Sequence, residues 1–139
     1  MAAAALSRFG DAEALPFIRE QVGVADGETA RTAAWILARV GDASDIPALR
    51  AGRDRYDEPL TKAYFQHALA ALGDAEGKAA LVRNLGHEDP AVRVYAAEFA
   101  PDGRVVAARE TLIARLDDEV PDIRIRAAHA LLALSMPKK

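Results

Sequence analysis

Asp89-Pro90-Ala91-Val92-Arg93-Val94-Tyr95-Ala96-Ala97 and Pro121-Asp122-Ile123-Arg124-Ile125-Arg126-Ala127-Ala128 are one pattern written twice, 31 residues apart. In both copies a proline is followed by a branched aliphatic, then a basic residue, then paired alanines. Proline suits the first turn of a helix, where its missing N–H costs nothing and its φ is already helical. Val92, Ala96 and Phe99 then fall on one helical stripe, and Ile123, Ala127 and Ala130 repeat it.

Working outward, the step of 31 holds along the chain, and such an internal period decides the fold before any single element does. Basic residues recur at Arg31, Lys62, Arg93 and Arg124, and prolines at Pro59, Pro90 and Pro121, with Glu28 in the equivalent first place. Pro16 and Pro47 keep the same step. Gly10-Asp11, Gly41-Asp42 and Gly73-Asp74 mark turns, and Pro101-Asp102-Gly103 stands where a fourth would fall. Each unit reads as two helices. The spacing predicts first helices over 11–22, 43–55, 75–85 and 104–116, and second helices over 28–40, 59–72, 90–100 and 121–134. Asp89 is a good N-cap, and Gly41 and Gly73 suit a left-handed C-terminal stop.

The expected fold is therefore all-α, an α-α superhelix of about four helix-turn-helix repeats in one domain spanning 1–139. The repeats run 11–41, 42–73, 74–103 and 104–135, behind an N-terminal half-repeat over 1–10. Ala2–Leu6 makes a poor polar cap for a solenoid. Two readings of that start stand open: a segment of a longer solenoid (or an end covered by a partner), and a short form with a frayed first helix.

The quoted segments resemble the Asp-Pro-x-Val-Arg-x-x-Ala-Ala stretch of HEAT repeats, especially the short bacterial type named after phycobilisome lyases. Leu72-Gly73-Asp74 and Val40-Gly41-Asp42 resemble that family's Leu-Gly-x-x-Gly-Asp stretch in shortened form. Leu60-Thr61-Lys62 departs from the Val-Arg core. The resemblance implies a solenoid whose second helices line a concave face. It implies no single function, because such repeats serve as scaffolds, lyase subunits and appendages of larger enzymes.

Composition narrows the classes. The chain has 139 residues, a formal charge of −3 and no cysteine. Disulfides and thiolate metal sites are thereby excluded, and the composition fits a reducing, cytoplasmic setting. The acidic balance gives no general attraction to nucleic acid or anionic lipid. The apolar runs are too short and interrupted for a membrane span.

Stacking equivalent positions places Ala33, Tyr64, Tyr95 and Arg126 in one outward row. Ile36, His67, Glu98 and His129 form a second row three residues on, hence on the same face. Tyr64, His67, Tyr95, Glu98, Arg126 and His129 are the candidate binding residues. The same residue types ligate metals, but helices 8–10 Å apart hold His67 and His129 about 20 Å from each other, so no metal site is expected. Arg31, Lys62, Arg93 and Arg124 are expected to be a structural ladder, pairing with acids such as Asp42, Asp74, Glu88, Asp89 and Asp118. Trp35, the sole tryptophan, is expected to pack inside. Ser7, Ser44 and Ser135 lie at helix ends or turns without His-Asp partners, and no phosphate-cradling glycine loop is present.

No catalytic residue and no cofactor is therefore expected. The leading reading is a non-enzymatic interaction or scaffold module that binds a peptide or protein on its concave face, with oligomeric state open. The alternative is a structural or regulatory appendage of a larger enzyme. A bilin-lyase-like subunit and a nucleic-acid binder are weaker readings.

Overall fold

The computed structural model describes residues 13–24 and 26–137; the half-repeat expected over 1–10 lies outside them. Among the described residues there are eight α-helices and no strand. They are α1 (Ala14–Val24), α2 (Gly27–Val40), α3 (Ile46–Arg55), α4 (Pro59–Ala71), α5 (Ala75–Asn84), α6 (Pro90–Phe99), α7 (Arg109–Arg115) and α8 (Pro121–Ser135). The second helices α2, α4, α6 and α8 pack on one another in chain order, and each first helix packs on its own second helix. The α4–α5 contact is the most extensive. This is the helix-pair solenoid that the repeat predicts.

Helix starts follow the caps. Asp26 accepts the Thr29 N–H at 3.0 Å, Glu58 that of Thr61 at 2.7 Å, Asp74 that of Gly77 at 2.9 Å and Asp89 that of Ala91 at 2.9 Å. Each carboxylate satisfies a donor that the first turn leaves orphaned. Val120 has no capping side chain, and Asp118 Oδ1 takes its N–H instead at 3.0 Å.

Two first helices differ from expectation. The segment from Ala43 to Asp45 is a 3-10 turn, and α3 begins only at Ile46. Asp42 and Asp45 close a reciprocal capping box there, with the Asp42 N–H donating to Asp45 Oδ2 at 3.0 Å. The helix expected over 104–116 is also shorter. Arg104 has φ 47°, outside the right-handed helical region, and Val106–Ala108 form a 3-10 turn before α7. The Arg104 guanidinium donates to the carbonyls of Leu134 (3.2 Å) and Met136 (3.3 Å), tying this turn to the end of α8.

The glycines divide similarly. Gly73 has φ 95° and is the expected left-handed stop. Gly41 is not, with extended backbone at φ −82° and ψ −176°. Its constraint is space, because a Cβ there would stand 2.6 Å from the Leu37 carbonyl oxygen and 2.7 Å from Asp45 Oδ2.

One core runs through the pairs. Leu37, Leu49, Phe65, Leu69, Leu81, Phe99 and Leu112 are fully buried, and alanines fill the contacts between second helices: Ala30, Ala34, Ala68, Ala96, Ala97, Ala127 and Ala130. The predicted stripes Val92/Ala96/Phe99 and Ile123/Ala127/Ala130 are all inside it. Ion pairs staple successive units. Arg19 bonds Asp45 at 2.7 Å, Arg50 bonds Asp74, and Arg93 bonds Asp118.

Candidate functional site

The second helices together form a groove of about 530 Å³. Glu28, Arg31, Thr32 and Trp35 enter it from α2, Leu60 and Tyr64 from α4, Tyr95 and Glu98 from α6, and Arg126 from α8. Four successive repeats therefore supply one surface, as a step of 31 residues requires.

At its centre the Tyr64 and Tyr95 rings lie 4.7 Å apart, tilted by 47°. The Phe99 ring meets Tyr64 edge-on at 6.3 Å from within the core. This packing holds the tyrosines half-buried at the groove wall. Burial first, and then the hydrogen bond shared with Tyr95, raise the Tyr64 hydroxyl well above the ordinary phenol range. Tyr64 is therefore neutral and a poor proton donor near pH 7. The Arg31 guanidinium lies 5.8 Å over the Tyr64 ring.

Arg126 bridges two acids, with Nη1 2.7 Å from Glu98 and Nε 3.0 Å from Asp122. Burial works against its charge, but these two carboxylates prevail and raise its pKa. With Glu28 and Glu98 against Arg31 and Arg126, the wall carries balanced formal charge.

Trp35 corrects an expectation. It is 40% exposed rather than inside, and the Arg39 guanidinium caps its ring at 4.5 Å. Arg39 also lies 5.0 Å over Phe99 and pairs with Asp102 at 3.2 Å. Burial raises the Asp102 carboxyl above its ordinary range, although Arg39 opposes this. Trp35 lines the groove, against the sequence expectation, and Arg39 covers its ring without lining the groove itself.

Of the predicted rows, the structure brings Tyr64, Tyr95, Glu98 and Arg126 together. Ala33 is buried and Ile36 half-buried. His129 is exposed but does not line the groove. His67 leaves the surface altogether, being 0% exposed, 5.7 Å from the Phe99 ring. The Asn84 amide, which also donates to Gln66 Oε1 at 2.9 Å, stands 3.0 Å from His67 Nε2. An amide donor there requires a neutral imidazole with its proton on Nδ1, and no partner meets Nδ1 among the described residues. Burial pushes the His67 pKa down to about 3. Among the described residues, no three His, Asp or Glu side chains are grouped to hold a metal ion.

The basic ladder is not uniform. Arg93 is a buried staple, donating to Asp118 at 3.0 and 3.2 Å and to the His87 carbonyl at 2.8 Å. Arg124 donates to the Asp118 carbonyl at 2.7 Å. Arg31 instead faces the groove, and Lys62 lines a second groove of about 400 Å³ between α3 and α5, beside Arg53, Gln66, Glu76 and Arg83.

Comparison with known proteins agrees with this geometry. A family model described as HEAT repeats matches residues 1–70, half of the chain. The plainest motif copies lie beyond that match, at 89–97 and 121–128, joined to it by the unbroken step of 31. No curated protein matches the chain. The helix pairs and the family match lead to one conclusion: the chain belongs to the HEAT-repeat family.

Proposed function

We propose that this chain is a non-enzymatic protein-interaction module that binds a peptide or protein segment in the groove over its second helices, the concave face of the solenoid. HEAT repeats generally mediate protein–protein interaction. The observation that carries the reading to a site is the aromatic and cationic wall of Trp35, Tyr64, Tyr95 and Arg126, contributed by four different second helices. Trp, Tyr and Arg dominate binding energy where they occupy the centre of an interface.

The mechanism is preorganisation. Tyr64 and Tyr95 are held against each other, and Tyr64 against Phe99, so little side-chain freedom remains to be lost on binding. Glu98 and Arg126, already paired, set polar ends for a partner to complement, and the balanced charge makes shape and aromatic contact the larger part of affinity.

The test is site-specific cross-linking. A photo-reactive residue placed at Thr32, within the groove, is compared with one placed at Lys78, on α5 away from it. A partner captured from Thr32 and lost in Tyr64→Ala/Arg126→Ala protein of matched thermal stability supports the reading. Equal capture from both positions, unaffected by the double substitution, contradicts it.

A further inference from the structure

The second groove, of about 400 Å³, opens away from the tyrosines. Lys62 and Gln66 line it from successive turns of α4, whereas Tyr64, two residues from each, lines the first groove. Arg53 enters from the end of α3, and Glu76 and Arg83 from α5, with the small residues Ala79 and Ala80 between them. Three cations thus face one carboxylate, in a chain whose formal charge is −3.

Only part of that positive charge is answered within the chain. Arg53 holds Glu76 through Nη1 at 3.3 Å and turns Nε to Asp54 at 2.9 Å. The Lys62 ammonium and the Arg83 guanidinium make no hydrogen bond or ion pair among the described residues. Asp54 feels the Lys62 charge, but both its oxygens are already bonded to Arg53. The Asn84 amide donates to Gln66 Oε1 at 2.9 Å, which leaves the Gln66 NH2 group free to donate.

The repeat separates these residues from the structural ladder. One period back and one forward, Arg53 corresponds to Val22 and Asn84, Gln66 to Trp35 and Ala97, and Arg83 to Gly52 and Ala114. None of the three is a ladder residue, yet they converge on one groove. Lys62 does belong to the ladder, but its staple is missing. The equivalent Arg93 bonds Asp118 at 3.0 Å, and the residue one period before Asp118 is His87. That side chain is occupied in accepting the Asp89 N–H at Nδ1, 2.9 Å away.

We propose that this groove binds an acidic peptide segment of a protein partner, whose carboxylates meet Lys62 and Arg83 and accept from the Gln66 amide. Two unanswered cations in an acidic chain contact too few phosphates to hold nucleic acid. Among the described residues no aromatic ring lines this groove for bases to stack on. The site stands apart from the aromatic groove, so neither reading depends on the other.

Fluorescence anisotropy of a labelled Ser-Glu-Glu-Asp-Glu-Ser peptide, at about 20 mM salt where screening is weak, tests it. Saturable binding is expected, weakened at least about fivefold in Lys62→Gln/Arg83→Gln protein, as two exposed charge pairs allow. It should weaken again as salt rises to about 0.3 M. Arg109→Gln removes an exposed charge from α7 outside the groove and should bind as the unaltered protein does. A Ser-Gln-Gln-Asn-Gln-Ser peptide should not bind. Failure of the acidic peptide to bind, binding indifferent to Lys62→Gln/Arg83→Gln, or equal binding of the amide peptide overturns the proposal. Inorganic phosphate or a thymidine oligonucleotide that displaces the label better than unlabelled peptide reassigns the groove, and overturns it too.

Discussion

His67 makes stability depend on pH, and comparison with a variant lacking it separates this effect from the carboxylates, including Asp102, whose pKa burial raises. Its folded pKa is pushed down to about 3 by burial, against about 6.5 for an unfolded histidine. The sign follows from linkage. Below pH 6.5 the unfolded chain binds a proton that the folded chain refuses, so stability is complete above that pH and is lost as pH falls. The slope approaches about 1.4 kcal/mol per pH unit and persists until the folded group titrates. Between pH 7.5 and 4.5 the loss amounts to roughly 2–3 kcal/mol, a large share of a small domain's 5–15 kcal/mol. The carboxylates held low by their partners, Asp74 and Asp118 among them, begin to weaken the fold as pH falls through about 5, and this loss is common to both proteins compared. The perturbation is His67→Gln, which keeps a polar group near Asn84 and removes the titration. Urea unfolding of both proteins at several pH values gives the difference in stability, from which the other two histidines cancel. The substitution is expected to be destabilising at pH 7.5 and to lose that disadvantage, or reverse it, by pH 4.5. A difference that stays flat across this range would mean that His67 titrates normally and stands in water, as the simple row of stacked positions suggests.

The remaining predictions concern packing and the staples between units. Arg93→Met leaves the Asp118 carboxyl, 2% exposed, with only Arg115 as a charged partner, and is expected to cost about 3 kcal/mol. A cycle with Asp118→Asn should show coupling of at least 1 kcal/mol, and additive small losses would remove Arg93 from the staples. Gly52→Ala places a Cβ 2.2 Å from the ring of Phe65, which is itself fully buried, and should cost about 2 kcal/mol or more by overpacking. Gly23→Ala, with nothing within 4 Å of its Cβ, should be neutral or stabilise by up to about 1 kcal/mol. Thermal or urea denaturation of the pair checks the contrast.

The period carried the fold because equivalent residues in a solenoid have equivalent neighbours. It located α4, α6 and α8 to within a residue or so, since proline and a capping residue mark each start. It failed where local chemistry broke the repeat. Asp42 and Asp45 form a capping box that delays α3, and the Asp-x-x-Asp spacing was a readable signal. Arg104 adopts a positive φ that no proline or glycine at that position announced. The site was half legible. Tyr64, Tyr95, Glu98 and Arg126 share the groove because row and surface coincide there. His67 does not, because α4 is an interior helix covered by α5 and α6, whereas the equivalent His129 lies on the last helix. The same repeat position is half-buried at Ile36 and Glu98, so place within the repeat alone does not decide exposure. Trp35 looked like core in an alanine-rich helix, yet Arg39 four residues on covers its ring and holds it at the surface. Arg19 and Arg50, one period apart, were a second ladder in plain view, and their partners Asp45 and Asp74 lie in the next unit.

Trp35 also provides the most direct test of the groove, because it is the only tryptophan in the chain and lines the wall. The decisive measurement is a titration of its fluorescence with the purified partner segment recovered by cross-linking. The account predicts a saturable change in intensity or emission wavelength, with affinity reduced at least tenfold in Tyr64→Ala/Arg126→Ala protein, equivalent to 1.4 kcal/mol or more. Binding of undiminished affinity in that variant, with Trp35 emission unmoved at saturation, would place the partner elsewhere and contradict the central claim.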